Sequence, residues 1–155
     1  MKELFNNYST IIIFLHVISA VIWVGGMIAI RVAVHPSLHS IEDAKLRLGK
    51  TLEIVGRLFN LVMPFIIILL ITAIIMIVAL NLSGPLIYAK EAIWSVMSIN
   101  YIYMYFKRKR AQKLFSSGNL AQAKEEVKDL PHKLLPINII LGVVAILLGV
   151  ILRGY

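Results

Sequence analysis

The chain has 155 residues and a formal net charge of +8, yet it is 59% hydrophobic and only 15% charged. Its mean hydropathy of +0.85 lies far from that of soluble domains, so the composition predicts an integral membrane protein. Because the chain has no cysteine, disulfides, thiolate metal sites and cysteine nucleophiles are excluded.

Four apolar runs, at about residues 11–34, 56–80, 86–108 and 133–153, are each long enough for a helix to cross a hydrocarbon core of roughly 30 Å. The segments between them are too short to form a soluble domain. The predicted fold is therefore all-α: a single transmembrane domain folded as an antiparallel four-helix bundle, with short cytoplasmic interfacial helices.

The basic residues predict the orientation of the bundle. Five of the 16 Lys and Arg residues lie in residues 31–57 and eight in residues 107–133, which leaves three elsewhere. This bias predicts that both long loops are cytoplasmic and both termini external. We interpret the KRKR run at 107–110 as a topology signal and lipid-headgroup anchor, and without interleaved aromatic residues it does not indicate nucleic-acid binding.

The first apolar run contains His16, an ionisable residue that is costly in a membrane span and is therefore a functional candidate. A 3.6-residue period places it on one stripe, with Arg31 at the edge, and predicts that this stripe faces other helices. The other members of the stripe are Ser19, Ala20, Trp23, Met27 and Val34. Gly25 and Gly26 would let a helix backbone or a flat ligand approach closely.

The segment after the first span is expected to be helical. Pro36 predicts that the first helix ends near His35. Ser40 is a plausible N-cap, with Asp43 at the capping-box position, for a helix that either lies at the interface or continues into the second span. Pro64 is expected to kink that span.

A short external turn at residues 81–85 separates the second and third spans, because Gly84 and Pro85 both stop helices. The third span carries Lys90 and Glu91 near its outer end. Lys90 begins a helical stripe whose other members are Trp94, Met97, Tyr101, Met104 and Arg108.

The last part of the chain predicts a short amphipathic helix that is capped by Asn119 and ends before Pro131. In the fourth span, Pro136 and Asn138 are the interior irregularities, and Arg153 marks the outer edge.

Counting residues from the boundaries places His16 roughly 8 Å and Lys90 roughly 6 Å below the outer surface, so the two side chains could meet. The alternatives are an ordinary interhelical polar contact for His16 and a snorkelling Lys90–Glu91 charge pair. At the inner edge, His35 and His132 form a second pair at one depth, either as solvated residues or as metal ligands.

Three methionines from different helices also share a level in the inner half. They are Met27, Met63 and Met104. They serve either as core filler or, because thioether and imidazole suit Cu(I), as a copper site together with His35.

The order FLHVISAVIWVGG, with His16, Trp23 and Gly26, resembles the first helix of a family of small four-helix membrane proteins. This family includes the HemJ-type protoporphyrinogen oxidases and the related CopD-type proteins associated with copper handling. Beyond this helix, the residues that are similar to positions of the family are Arg31, His35, Arg57, Pro64 and Lys90.

The resemblance implies a bundle that holds haem b, with His16 and Lys90 as the residues tied most closely to haem and activity, and His16 as the iron ligand. It implies that Trp23 packs on the macrocycle, which Gly25 and Gly26 admit, and that Arg31, His35 and Arg57 belong to the cofactor site. Departures from the family pattern are the lack of an acid near Asn138 and the presence of Asn100 or Tyr101 where a histidine is expected.

Three functions follow as alternatives. The first is a haem-binding oxidoreductase of the bacterial inner membrane that oxidises protoporphyrinogen IX and passes electrons to a quinone or another haem protein. The second is a CopD-like copper-handling membrane protein. The third is a non-catalytic subunit of a membrane complex. The partners expected are the lipid bilayer and a tetrapyrrole, with self-association left open.

Overall fold

The computed structural model describes residues 1–152, and these residues form helices without any strand, as the sequence predicts. The helices are α1 (Lys2–Ala29), α2 (His35–Leu38), α3 (Ala44–Ala79), α4 (Pro85–Ser116), α5 (Leu120–Val127) and α6 (Leu135–Leu152). Two π-helical turns, Ile30–Val34 and Leu130–Leu134, join α1 to α2 and precede α6. Arg153, predicted to mark the outer edge, lies outside the described residues.

The four long helices form a closed antiparallel bundle. Helix α1 packs against α3 and α6, and α4 packs against the same two helices from the other side. We call the end of the bundle that holds residues 31–57 and 107–133 the basic end, and the end that holds the N-terminus and the turn before α4 the opposite end. The turn before α4 has Asn81 at φ 52° and Gly84 at φ 118°, which confirms the predicted turn.

Three stretches, Lys2–Leu38, Ala44–Ala79 and Leu120–Leu152, are long and apolar enough to cross a membrane. Helix α4, which holds the predicted span at 86–108, does not belong to this set. It nevertheless exposes a face of large apolar side chains. They are Tyr88, Val96, Ile99, Ile102, Tyr103 and Phe106. That α4 spans the membrane stays a prediction.

The core of the bundle is built from the two stripes that the helical period predicts. Trp23 and Met27 of α1 are buried, as are Met97, Tyr101 and Met104 of α4. They pack with side chains of α3, among which Phe59 and Val62 are fully buried. The prediction that the α1 stripe faces other helices is confirmed, and the α4 stripe lies in the same core.

Two expectations about helix ends need correction. Asp43, and not Ser40, is the N-cap of α3, since its carboxylate accepts a hydrogen bond from the Leu46 amide at 2.9 Å. Pro36 does not end the first helix, because helical backbone continues to Leu38 after the π turn. A wider turn moves the preceding carbonyls away from the proline ring, which removes the usual clash. Pro136 likewise lies two residues after the end of the second π turn.

The two segments that were expected to lie at the membrane interface form different structures. Residues 44–55 are the first part of the continuous α3, which was one of the two alternatives. Helix α5 is separate, begins after Asn119 and ends before Pro131, as predicted, although the Asn119 side chain makes no capping hydrogen bond. Pro64 lies inside α3 without interrupting it.

Candidate functional site

The functional candidates fall into two groups, at different ends of the bundle. His16 and Lys90 lie in the half toward the opposite end. His35 lies at the basic end, roughly 28 Å from His16 along the helix at 1.5 Å per residue. The residues implied by the family resemblance therefore do not gather around one point.

His16 of α1 forms a hydrogen bond to Thr72 of α3, with 3.0 Å between Nδ1 and Oγ1. The single Thr72 hydroxyl proton is directed at backbone carbonyls, 2.8 Å from that of Ile68 and 3.0 Å from that of Leu69. Because this oxygen already donates its proton, it accepts the bond from His16. The network thus assigns the proton of the neutral imidazole to Nδ1 and leaves the Nε2 lone pair free.

Lys90 of α4 lies close enough to His16 for the two groups to interact electrostatically. Its amine runs across α6, where a Cβ added at Gly149 would lie 3.1 Å from Lys90 Nζ. Within residues 1–152, Lys90 forms no ion pair, and its neighbour Glu91 is exposed. Three helices therefore bring an imidazole, a hydroxyl and an amine into one region, with Gly149 providing space.

Three buried polar atoms in the described part of the chain have no hydrogen-bond partner. They are Nε1 of Trp23, Nε1 of Trp94 and Oγ of Ser98. Trp94 lies one helical turn below Lys90, and Ser98 lies one turn further. Unpaired buried donors are costly, so they commonly mark a position for a water or a ligand. Their positions follow directly on from His16 and Lys90 toward the centre of the bundle.

Trp23, Gly25 and Gly26, which also belong to the expected cofactor site, have different surroundings. Trp23 is buried edge-on against Tyr101, with 6.3 Å between ring centroids. Gly26 faces α3, where a Cβ would lie 2.8 Å from the Leu58 side chain, whereas nothing lies within 4 Å of a Cβ at Gly25.

Arg31 and Arg57, the two arginines of the expected cofactor site, lie toward the basic end. Arg31 is part of the first π turn. Arg57 is exposed and pairs with Glu53 at 2.8 Å.

The three methionines that were expected to form a copper site do not line one region of the interior. Met27 and Met104 are fully buried, but Met63 is 37% exposed on the outside of α3. His35 lies instead among other histidines, with its ring centroid 4.8 Å from that of His39 and 5.3 Å from that of His132. Residues 1–152 contain no group of three or more His, Asp or Glu side chains arranged to hold a metal ion.

Polar contacts that the sequence analysis did not assign connect the helices at other levels. Asn100 of α4 donates to the Asn138 side chain at 2.7 Å, and Asn138 donates to the Met97 carbonyl at 3.0 Å. The Tyr101 hydroxyl donates to the Phe59 carbonyl at 2.5 Å. These bonds hold α4 against α6 and α3, and interhelical hydrogen bonds of this kind are worth about 0.6 kcal/mol each in membranes.

Thr72 is the residue of this candidate site that sequence reasoning missed. It is the one polar side chain in the long apolar stretch 64–80 of α3, and that isolation was the available signal.

Comparison with protein-family models, with curated protein sequences and with solved structures finds no match.

Proposed function

We propose that the protein is a membrane redox protein that binds haem b, and that Nε2 of His16 would hold the iron. The observation that carries this proposal is the His16–Thr72 hydrogen bond, which holds the ring through Nδ1 and leaves Nε2 unprotonated. A histidine that ligates a metal almost always donates its other N–H in this way. Haem supplies four ligands of its own, so no further protein cluster is required.

Two more features support a ligand in the same region. Lys90 has no carboxylate partner within residues 1–152, and a tetrapyrrole carries carboxylates that would pair with an amine. The indole N–H groups of Trp23 and Trp94 are buried donors without acceptors. The residues present thus fit a haem by donor chemistry: His16 would hold the iron and Lys90 a carboxylate.

The reaction belongs to the cofactor, and the protein contributes ligation and orientation. When bound, haem supplies one-electron redox chemistry. Thr72 fixes the plane and tautomer of the His16 ring, and the apolar surroundings exclude water. The family resemblance adds protoporphyrinogen IX oxidation, with a quinone or haem protein as electron acceptor, to this proposal.

The membrane arrangement is part of the same proposal. We place all four long helices across a bacterial inner membrane, with α4 as the fourth span because of its exposed apolar face. The concentration of Lys and Arg at the basic end favours a cytoplasmic position for that end. His16 and Lys90 then lie in the outer half of the bilayer.

A haem titration of detergent-purified protein, followed at the Soret band, tests this function. The wild type is expected to bind one haem, and His16→Ala is expected to abolish the band. Thr72→Val keeps the shape of the side chain but removes the acceptor, and loss of such an outer contact weakens metal affinity about 10- to 100-fold.

His39→Ala is the matched control, because it removes an imidazole at the basic end and is expected to leave the titration unchanged. A wild type that binds no haem, or a His16→Ala variant with an unaltered band, would refute the proposal.

A further inference from the structure

The basic end contains a partly open cavity of about 520 Å³, lined by residues of α2 to α6 and of both π turns. Its inner wall is apolar and belongs largely to the buried core. The core residues that form it are Ile30, Leu52, Val55, Val127, Leu130 and Leu135. A volume of this size is typical of ligand sites. An apolar floor in contact with the core favours a ligand that has an apolar part.

The charged side chains around this cavity are all of one sign. The cations are Lys45, Arg47, Arg108, Lys124 and Lys128, and three histidines join them, His35, His39 and His132. The lining contains no Asp or Glu. A concave surface with apolar walls and charges of one sign focuses positive potential and attracts anions.

Most of these cations lack a carboxylate partner. Among the cavity cations, only Lys128 forms an ion pair within residues 1–152, with Glu125. Arg47 donates to the Ile41 carbonyl, and Arg108 donates to the Leu52 carbonyl. Three acids beside lining residues are already engaged elsewhere: Asp43 accepts the Leu46 amide, Glu126 lies 3.8 Å from Lys107, and Asp129 lies 3.0 Å from Lys133. The charge of the cavity is therefore not balanced from within.

The two π-helical turns position the histidines of this site. The turn Ile30–Val34 directly precedes His35, and the turn Leu130–Leu134 contains His132. The two rings pack edge to face in the cavity lining, with their centroids 5.3 Å apart. Single π turns inside α-helices occur frequently at functional sites.

We infer that this cavity binds the phosphate headgroup of an anionic phospholipid, with the start of the acyl chains on the apolar floor. The shared chemistry is a phosphate, but the floor and the position at the end of the membrane-crossing helices favour a lipid over a free anion. Basic pockets between membrane helices bind headgroups in this way. This inference does not depend on haem binding at His16, because the two sites lie at different ends of the bundle.

Three water-soluble probes test the inference with the full-length protein in detergent. They are dioctanoyl phosphatidylglycerol, dioctanoyl phosphatidylcholine and glycerol phosphate, with bound ligand counted by native mass spectrometry. We expect saturable binding of phosphatidylglycerol alone. Equal binding of phosphatidylcholine would contradict an anion site, and equal binding of glycerol phosphate would contradict the lipid.

Paired variants locate the binding. Lys45→Gln with Lys124→Gln removes two unpaired charges, each worth about 1 kcal/mol, so the affinity for phosphatidylglycerol should fall roughly 30-fold. Lys109→Gln with Lys113→Gln is the control, since it removes the same charge at the same end but outside the cavity lining. An equal fall in both double variants would show diffuse attraction and overturn the inference.

A bulky substitution that leaves the charge of the cavity unchanged tests the location of the site independently. Ala121→Trp places a large side chain at an exposed lining position and is expected to block the binding of phosphatidylglycerol. Gln122→Trp, next to it but outside the lining, is expected to have no effect. Unchanged binding in Ala121→Trp would contradict the assignment.

Discussion

Gly56 and Arg108 form the contact between α3 and α4 on which the structure makes its sharpest prediction about stability. The Arg108 guanidinium lies directly over Gly56, and its Nε and Nη2 donate to the Leu52 carbonyl at 3.0 and 2.8 Å. A Cβ added at residue 56 would overlap this guanidinium. In Gly56→Ala, the arginine must therefore leave, and both hydrogen bonds are lost.

The magnitude follows from these two bonds. Hydrogen bonds to charged groups are worth about 1.5 kcal/mol each at the low end, which is appropriate for a half-buried arginine, so their loss costs about 3 kcal/mol. Alanine gains up to about 1 kcal/mol in a helix relative to glycine. We expect Gly56→Ala to lower the free energy of unfolding by about 2 kcal/mol.

Equilibrium unfolding by SDS in mixed micelles, followed by the fluorescence of the buried Trp23, measures this change. Gly25→Ala is the control, because nothing lies within 4 Å of a Cβ at that position, and it should be neutral or slightly stabilising. In an Arg108→Ala background, Gly56→Ala should stop being destabilising. An unchanged penalty in that background would refute the explanation.

The remaining predictions concern the contact of α6 with its neighbours and use the same unfolding assay. Asn138→Leu removes two interhelical hydrogen bonds, so we expect the free energy of unfolding to fall by about 1 to 2 kcal/mol. A double-mutant cycle with Asn100→Ala should show coupling between the two residues, and additive losses would contradict the contact. Gly142→Ala places a Cβ 2.5 Å from Val24 Cγ2. Because valine is stiff at χ1, the helices must separate, with an expected loss of about 1 to 3 kcal/mol, whereas unchanged stability would show that the interface is loose.

The bundle is well predicted because apolar residues recur along the sequence with the period of an α-helix. Apolar runs indicate the number and approximate positions of the long helices but not their lengths, since α3 covers Ala44–Ala79 where the run covers 56–80. A 3.6-residue period places Trp23 and Met27 on one buried face and Tyr101 on another. The turn at Gly84 and Pro85 was equally readable, since only a few residues adopt or permit such backbone. These signals are local, and the structure confirms them.

The sites are harder to predict because they depend on pairing between distant segments. His16 and Lys90 were recognised as candidates at one depth, but the partner that fixes the imidazole is Thr72 on a third helix. The π turns have no clear sequence signal, so Pro36 was expected to end a helix that continues. The lining of the basic cavity comes from α2 to α6 and both π turns, so no local pattern in the sequence indicates it, and only the fold brings those residues together.

The central claim is that the Nε2 atom of His16 is a ligand of haem iron, and the reduced-minus-oxidised absorption spectrum of protein purified without added haem tests it most directly. We expect the wild type to show the sharp α and Soret difference bands of a b-type haem on dithionite reduction, and His16→Ala from the same expression to show neither. A colourless wild type, or difference bands of equal height in His16→Ala, would contradict the account.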